Sequence, residues 1–373
     1  MDDSFDLKYF WQENKKCFMP FSVEKPRVPL ALMFDDHFLL HLLPIESTFR
    51  YYNDPSYTIE VNCRANDLLE KEIGLRCYDE QGIYYIKGAF EVLMGSKRNI
   101  NEGNTPWLES PVQDIDDVKK LILFAQSWDI RKKPIPDTWL EEKEKLQKKG
   151  KQLYFAHGMN GPATIACNML GTSNLCYFIM EEPEIMDEFY AIMAEKYIEF
   201  YETVMMIDHG KVNREGLGIN DDNCYIFPPE QYERFCAPFV KKCFEKFAPL
   251  PGHRRRQHSD SHMPHLMKIL YSLGVNEVNF GPKIHPLDIR RVMPKAVIHG
   301  QMPPFVLRNG SKDEINECVK RDFEAVGADG GLVESLAGVV PESTPFENIR
   351  NYMYAVHKYT RYDKTFSGIM TSS

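Results

Sequence analysis

One short segment of the sequence combines side chains that bind metals and transfer protons, namely His258-Ser-Asp260-Ser-His262. In an extended strand, residues two positions apart share a face, so His258 and Asp260 can offer a nitrogen and an oxygen ligand to one cation. His262 continues this spacing, but it stands where the next predicted helix begins, and His265 follows on that helix. We therefore predict a metal site at His258 and Asp260, and the spacing leaves open whether His262 or His265 takes part.

Other acids, imidazoles and amides follow short apolar runs, at the points where predicted strands end. These residues are His157, Asp221 with Asp222, Asn279, the segment His299-Gly-Gln301, and Glu334. In a parallel α/β barrel the loops after the strands form a single mouth, where the active site lies. The hypothesis is that these side chains converge there. For each one taken alone, a role as a helix cap or a turn residue remains the alternative.

The elements that would position these residues alternate between strand and helix. Apolar runs predict strands at 29–34, 83–86, 153–156, 216–219, 255–258, 275–278, 296–298 and 331–333. Amphipathic stretches predict helices at 57–73, 131–151, 183–206, 229–247, 263–273, 312–326 and 345–359. This order is typical of a parallel sheet covered by helices.

The length of 373 residues fits one large barrel, since a (β/α)8 barrel typically takes about 250 residues or more. Neither an internal repeat nor a Gly/Ser-rich linker marks a domain boundary. The predicted fold is therefore α/β, a single (β/α)8 TIM-type barrel domain over 1–373, with an N-terminal extension at 1–28 and the barrel at 29–359.

Composition excludes several classes of function. The formal net charge is −9 and no basic run offsets it, so nucleic acid is not an expected partner. No stretch approaches the roughly 20 apolar residues that cross a bilayer, and the acidic N-terminus is unlike a leader, so a cytoplasmic protein is expected. The 9 cysteines form no Cys-x-x-Cys pair, which argues against a disulfide framework or a cysteine-rich zinc module.

Several further segments occur in a common order that is typical of one enzyme superfamily. They are Gly161-Pro-Ala-Thr-Ile-Ala-Cys-Asn-Met-Leu-Gly171, Glu182-Pro-Glu-Ile-Met186, Pro228-Pro-Glu-Gln-Tyr232 with Pro238, His258-Ser-Asp260, Gly300-Gln-Met-Pro-Pro304 and Pro341-Glu-Ser-Thr-Pro-Phe-Glu-Asn-Ile349. On these segments the chain from about Pro29 to Tyr359 resembles the uroporphyrinogen decarboxylase superfamily, which includes zinc- and corrinoid-dependent methyltransferases. The resemblance implies a (β/α)8 barrel, in agreement with the predicted elements.

The resemblance does not by itself select the reaction. Decarboxylases of the superfamily carry Arg-Gln-Ala-Gly-Arg after the first strand, and those arginines bind the carboxylates of the substrate. Here that place reads Met33-Phe-Asp-Asp-His37. Without these countercharges, decarboxylation of a porphyrinogen is not expected.

The methyltransferase branch binds zinc through a His-x-Cys pair and a distant cysteine. His258 matches the first position, whereas Asp260 stands where the first cysteine would be and Ala337 where the second would be. By resemblance, we expect Zn²⁺ to be held by His258 and Asp260, with Glu334 as a third ligand. A site with oxygen ligands in place of thiolates favours activation of a substrate oxygen or nitrogen over activation of a thiol.

The predicted function is that of a zinc-dependent methyltransferase, the first component of a demethylase. It would move a methyl group from a small O-methyl or N-methyl donor to a corrinoid (cobalamin) carried by a partner protein. The expected roles are catalytic for Asp221, Asp222 and His157, and substrate-binding for Asn279, Gln301, Tyr225 and Phe280. A metal-independent lyase and a non-catalytic tetrapyrrole- or corrinoid-binding protein are the alternatives. The donor, the acceptor and the oligomeric state, a homodimer among the options, stay open.

Overall fold

Short strands alternate with longer helices through most of the chain. The structure, a computed structural model, describes residues 5–81, 83–84, 89–132, 137–155 and 159–362. Its strands are β1 Ile83–Tyr84, β2 Lys97–Asn99, β3 Trp107–Glu109, β4 Tyr154–Phe155, β5 Met159–Asn160, β6 Gly216–Asn220, β7 Arg254–Ser259, β8 Glu277–Phe280, β9 Val297–His299 and β10 Leu332–Val333.

Helices cover most of the remaining residues. They are α1 Leu7–Asn14, α2 Asp36–Leu42, α3 Thr48–Asn53, α4 Pro55–Ile73, α5 Ala89–Leu93, α6 Ile115–Ser127, α7 Asp137–Gln147, α8 Pro162–Leu170, α9 Thr172–Glu181, α10 Pro183–His209, α11 Pro229–Gln231, α12 Ala237–Phe247, α13 Met267–Ser272, α14 Pro286–Val292, α15 Pro304–Asn309, α16 Lys312–Asp322 and α17 Phe346–Tyr359. Single 3-10 turns occupy Asp222–Ile226 and Pro264–Leu266, and π turns occupy Tyr232–Cys236 and Phe323–Gly327. No helix of the described residues is both long and apolar enough to cross a membrane.

The chain divides into two compact units. Unit 1 spans Met1–Pro44, Arg64–Tyr78 and Asn276–Ser373, and unit 2 spans Ile45–Cys63 and Asp79–Val275. Each unit draws on segments that are distant in sequence, so neither corresponds to a simple half of the chain.

Unit 2 contains the parallel strands β5, β6 and β7, side by side in that order. Asn160 is paired with Asn220, and Asn220 with His258. This register places the carboxyl ends of β6 and β7 level with each other. Side chains that follow these strands at equal distances therefore come close together, which is how the sheet assembles a site from separate loops.

Aromatic rings fill the core of unit 2 beneath α10 and α12. The ring of Phe90 lies 4.9 Å from that of Tyr197 and 5.8 Å from that of Phe200, and Tyr197 lies 5.7 Å from Phe239. The first contact is T-shaped, a geometry in which the ring edge meets the electron-rich face of its neighbour. These contacts fix the helices that support the strands.

The single helix predicted at 229–247 is interrupted. A π turn at Tyr232–Cys236 separates α11 from α12, and the backbone N–H of Ala237 bonds to the carbonyl of Tyr232, five residues back. Pro238 follows directly and has no N–H to donate, so it removes one helical hydrogen bond at this point and favours the wider turn.

Unit 1 contains the parallel strands β8, β9 and β10. Val278 is paired with Ile298, and Ile298 with Leu332. Helices α16 and α17 contribute apolar side chains such as Val319 and Met353 to a fully buried cluster in the same unit. The predicted alternation of strand and helix is thus present in both units.

The strand predicted at 29–34 is wrong in extent. Leu30 forms an isolated parallel bridge with Glu334, supported by hydrogen bonds from Ala31 N–H to the Glu334 carbonyl and from Glu334 N–H to the Pro29 carbonyl, each 2.8 Å long. Pro29 lacks an N–H, and the chain soon turns into α2, where Asp35 caps the helix through Phe38 N–H. The flanking backbone bonds to other residues: Val28 N–H donates to the Thr360 carbonyl and Val340 N–H donates to the Met33 carbonyl, so the bridge with Glu334 stays isolated.

Two parts of the sequence before residue 29, α1 and Arg27, belong to the core of unit 1. Phe10 of α1 is completely buried in the apolar cluster that also contains Leu30. Arg27 is equally buried, and its guanidinium lies 3.0 Å from the carboxylate of Glu13 and 3.0 Å from the side-chain oxygen of Asn14. A buried charge is tolerated only when it is paired in this way, so α1 and Arg27 stabilise each other.

Candidate metal centre

Three metal-binding side chains come together in unit 2 at the ends of β6 and β7. They are Asp222, His258 and Asp260, and within the described part of the chain they are the group of three whose ligand atoms all lie within 4.8 Å of one another. Nε2 of His258 lies 3.5 Å from Oδ1 of Asp260 and 3.9 Å from Oδ1 of Asp222. The structure thus adds Asp222 to the predicted pair.

The register of the two strands explains why Asp222 takes part. Asn220 is paired with His258, so Asp222 and Asp260 each stand two residues beyond a paired position. The N–H of Asp221 donates to the His258 carbonyl at 2.9 Å and carries the pairing one step further. The sequence predicted a catalytic role for Asp222 and did not indicate it as a candidate ligand, because its distance from His258 depends on this register.

The three side chains differ in exposure. The side chain of His258 is 10% exposed, whereas those of Asp222 and Asp260 are 52% and 50% exposed. The imidazole therefore forms the floor of the cluster and the two carboxylates form its open side. A small molecule can approach from the side of the carboxylates.

The donor set fits a divalent cation. Zinc binds imidazole and carboxylate at about 2.0–2.2 Å in tetrahedral geometry, which separates neighbouring ligand atoms by about 3.3 Å. The separations of 3.5 and 3.9 Å from His258 Nε2 are longer than this value, and the three ligand atoms lie within 4.8 Å of one another, so the side chains would draw closer together around a bound zinc ion. Three protein ligands with one position left for substrate are typical of catalytic rather than structural zinc sites.

Asp221 lies beside the cluster and is completely buried. Its Oδ1 accepts hydrogen bonds from the Thr164 N–H at 2.8 Å and the Thr164 hydroxyl at 2.9 Å. Burial raises the pKa of Asp221 to about 7, with the Thr164 bonds opposing the rise and the Asp222 charge adding to it. Because Oδ1 already accepts two hydrogen bonds, a proton on this carboxyl would be carried by Oδ2.

The predicted aromatic residues differ in their surroundings. Tyr225 is 50% exposed and lies on the same 3-10 turn as Asp222, so its ring can border the cluster. Phe280 is completely buried in unit 1, where it packs as a core side chain. Its predicted contact with substrate remains a prediction.

Three other predicted residues belong to unit 1. Asn279 donates from Nδ2 to the carbonyls of His299 (2.7 Å) and Leu336 (2.9 Å). The buried carboxyl of Glu334 accepts from the Tyr352 hydroxyl at 3.0 Å, and burial raises its pKa well above the ordinary range.

Gln301 completes the set of predicted residues in unit 1. Its side chain is almost completely buried, and its backbone N–H donates to Asp322 Oδ2 at 2.8 Å. Glu334 as a ligand and Asn279 and Gln301 as substrate contacts stay predictions.

Two of the other three candidate histidines, His262 and His265, lie among the described residues. His262 is exposed and is not a member of the three-residue cluster. Nε2 of His265 lies 3.1 Å from the Phe227 carbonyl, a contact that ties its turn to the neighbouring loop. His157, predicted as a catalytic residue, lies outside the described residues.

Comparison with known proteins agrees with the predicted fold class. The sequence profile of uroporphyrinogen decarboxylase (URO-D) matches residues 88–359, which is most of the chain. Among solved structures, a methyltransferase from Methanosarcina mazei is similar with a TM-score of 0.61 and 17% sequence identity, over 94% of this chain and 98% of that one. No curated protein matches the chain. The fold is thus α/β of the TIM-barrel type, and the chain belongs to the uroporphyrinogen decarboxylase family.

Proposed function

We propose that this chain is a metal-dependent methyltransferase that takes a methyl group from a small O-methyl or N-methyl compound and delivers it to a corrinoid protein. The cluster of Asp222, His258 and Asp260 carries the proposal, because it offers one nitrogen and two oxygen ligands on an open face. Family membership and a fold shared with a methyltransferase support this reading.

The oxygen-rich donor set favours a donor whose methyl group is attached to oxygen or nitrogen. His258 would hold the ion from below, and Asp222 and Asp260 would hold it from the open side. A zinc ion bound here would act as a Lewis acid towards the substrate heteroatom. Carboxylates transfer less electron density to a metal than thiolates do, and they also suit harder ions such as Mn²⁺.

Asp221 and Tyr225, which lie close to Asp222 in the chain, would handle the proton and the substrate. Asp221 is the proposed proton donor for the departing oxygen, because burial favours the protonated form of its carboxyl and raises its pKa to about 7. His157 is proposed to share this role. The exposed ring of Tyr225 would form one wall for the donor, while the substrate-binding roles of Asn279, Gln301 and Phe280 stay predictions.

Metal content and methyl transfer test the proposal together. Protein purified without chelator is expected to bind one Zn²⁺ per chain, and His258→Ala is expected to lose it. The unsubstituted protein should demethylate a methoxylated aromatic compound when free cob(I)alamin replaces the partner, and the absorbance of the cobalt centre reports the transfer. Zinc that is absent and cannot be restored would contradict the proposal.

A metal-independent lyase is the second candidate, and the buried Asp221 favours it specifically. A carboxyl group with a pKa of about 7 can exchange a proton with substrate without a cation. In that case Asp221→Asn should abolish turnover, whereas His258→Ala and chelators should leave it unchanged. The methyltransferase proposal requires both variants to lose activity.

A further inference from the structure

We infer that Ser261 is a positioning residue of the metal centre, which holds the ligand Asp222 against the ligand Asp260. The inference rests on the proposed metal centre. We call the group Asp222, Asp260 and Ser261 the ligand clamp. It gives a role to the second serine of His258-Ser-Asp-Ser-His262, a segment in which only the histidine and aspartate positions were expected to do chemistry.

Two hydrogen bonds join the loop after β6 to the loop after β7 within the clamp. The Ser261 hydroxyl donates to the backbone carbonyl of Asp222 at 2.5 Å, and the Asp260 N–H donates to Asp222 Oδ1 at 2.7 Å. The first bond fixes the backbone of Asp222 and the second fixes the direction of its carboxylate. Together they set the ligand in place before a cation arrives.

Electrostatics shows why such a clamp is needed. Asp222 and Asp260 are both about half exposed, and each lies within 4 Å of His258 Nε2. Two carboxylates held this close repel each other when no cation lies between them. The Asp260 N–H, which donates to Asp222 Oδ1, offsets part of this repulsion, and the Ser261 hydroxyl holds the backbone of Asp222 against the rest. Partners of this kind typically change metal affinity 10- to 100-fold when removed.

Ser259, the first serine of the segment, holds Ser261 in position through a hydrogen bond. Ser259 is buried, and its Oγ lies 3.3 Å from the Ser261 N–H and 3.8 Å from the Cys224 thiol, which belongs to the same 3-10 turn as Asp222. Along the segment, ligands and serines therefore alternate. The ligands face the cation site, and the serines tie the two loops together.

The test is the zinc affinity of the full chain, measured by competition with a chelating dye. Ser261→Ala is expected to weaken zinc binding 10- to 100-fold, while Ser261→Thr, which keeps the hydroxyl, should stay within about threefold of the unsubstituted protein. Ser272→Ala is the matched control, because its hydroxyl donates to the Ile269 carbonyl inside α13, and it should bind zinc normally.

The possible results separate the clamp from the metal centre itself. If Ser261→Ala binds zinc normally while His258→Ala does not, the clamp is wrong and the metal centre stands. If His258→Ala also binds zinc normally, both are wrong. Thermal unfolding in the presence of chelator checks that Ser261→Ala folds, and Ser261→Gly removes the same hydroxyl if it does not.

Discussion

The position of the Asp221 carboxyl depends on the absence of a side chain at Gly161. A Cβ atom built at position 161 would overlap Cβ, Cγ and Oδ2 of Asp221. Gly161 also precedes α8, from which Thr164 donates its two hydrogen bonds to Asp221. One glycine thus allows the buried carboxyl to sit against its donors, directly beside the proposed ligand Asp222.

Replacing this glycine should affect both stability and the metal site. We expect Gly161→Ala to lower the free energy of unfolding by about 1–3 kcal/mol, the usual cost of forcing an extra methyl group into a packed site, and to weaken zinc binding. Gly252→Ala is the control, because no atom lies within 4 Å of a Cβ there, and it should change stability by less than about 0.5 kcal/mol. Urea unfolding and dye competition measure the two effects. Equal stability of the two variants would contradict the crowding at Asp221.

The residues of the site were predictable only where local spacing determines them. His258 and Asp260 share a strand and its two-residue period, so sequence alone pairs them. Asp222 joins them because Asn220 is in register with His258, and no local pattern reports the register between two strands.

At the level of elements, contrast between buried and exposed faces decided what could be predicted. The helix predicted at 183–206 is present as α10, which has an exposed side, whereas α8 was not predicted as a helix. Seven of its nine residues are buried, so its sequence lacks the polar face that gives a helix its period. The antiparallel strands β2 and β3 were not predicted for a different reason, because each strand has only three residues.

The short helix α5 is anchored by a buried carboxyl. Glu91 Oε1 accepts hydrogen bonds from Asn160 of β5 at 3.1 Å and Asn168 of α8 at 3.0 Å. Burial raises the pKa of Glu91, although both amide donors and its own backbone N–H work to lower it. The carboxyl therefore links α5, β5 and α8. The free-energy cost of burying it is larger when it is ionised.

The free energy of unfolding of the Glu91→Gln variant should fall less with rising pH than that of the unsubstituted protein. The unfolded chain releases the Glu91 proton near the ordinary pKa of about 4.3, while the folded protein retains it to higher pH, so ionisation favours the unfolded state as pH rises above that value. The glutamine side chain would keep an acceptor for both amides and never ionise. We expect the stability of the variant relative to the unsubstituted protein to increase from pH 5 to pH 8, as measured by urea unfolding.

The matched control for this substitution is Glu245→Gln on α12, whose side chain is 62% exposed. Its stability relative to the unsubstituted protein should stay constant over the same pH range. If Glu91→Gln behaved like this control, Glu91 would not retain a proton in the folded state.

At the scale of the whole molecule, the buried core of unit 1 is assembled from both ends of the chain. It includes Phe10, Leu30 and Leu69 from the first part of the sequence and Leu336 and Met353 from the last. The family profile begins only at residue 88, so it covers the second group and omits the first. The span that the family profile matches therefore lacks part of the core of unit 1.

We predict that residues 88–359 expressed alone will not reach the native state. Deleting the first part of the sequence removes Phe10, Leu30 and Leu69 from a core in which all are essentially fully buried, and each large side chain lost from a core typically costs about 2–5 kcal/mol. Together these losses approach the whole stability of a typical domain, about 5–15 kcal/mol. Near-UV circular dichroism should show fixed aromatic environments in the full chain and their loss in the fragment. A fragment that gave the native spectrum and a cooperative unfolding transition would show that unit 1 folds without its N-terminal segments.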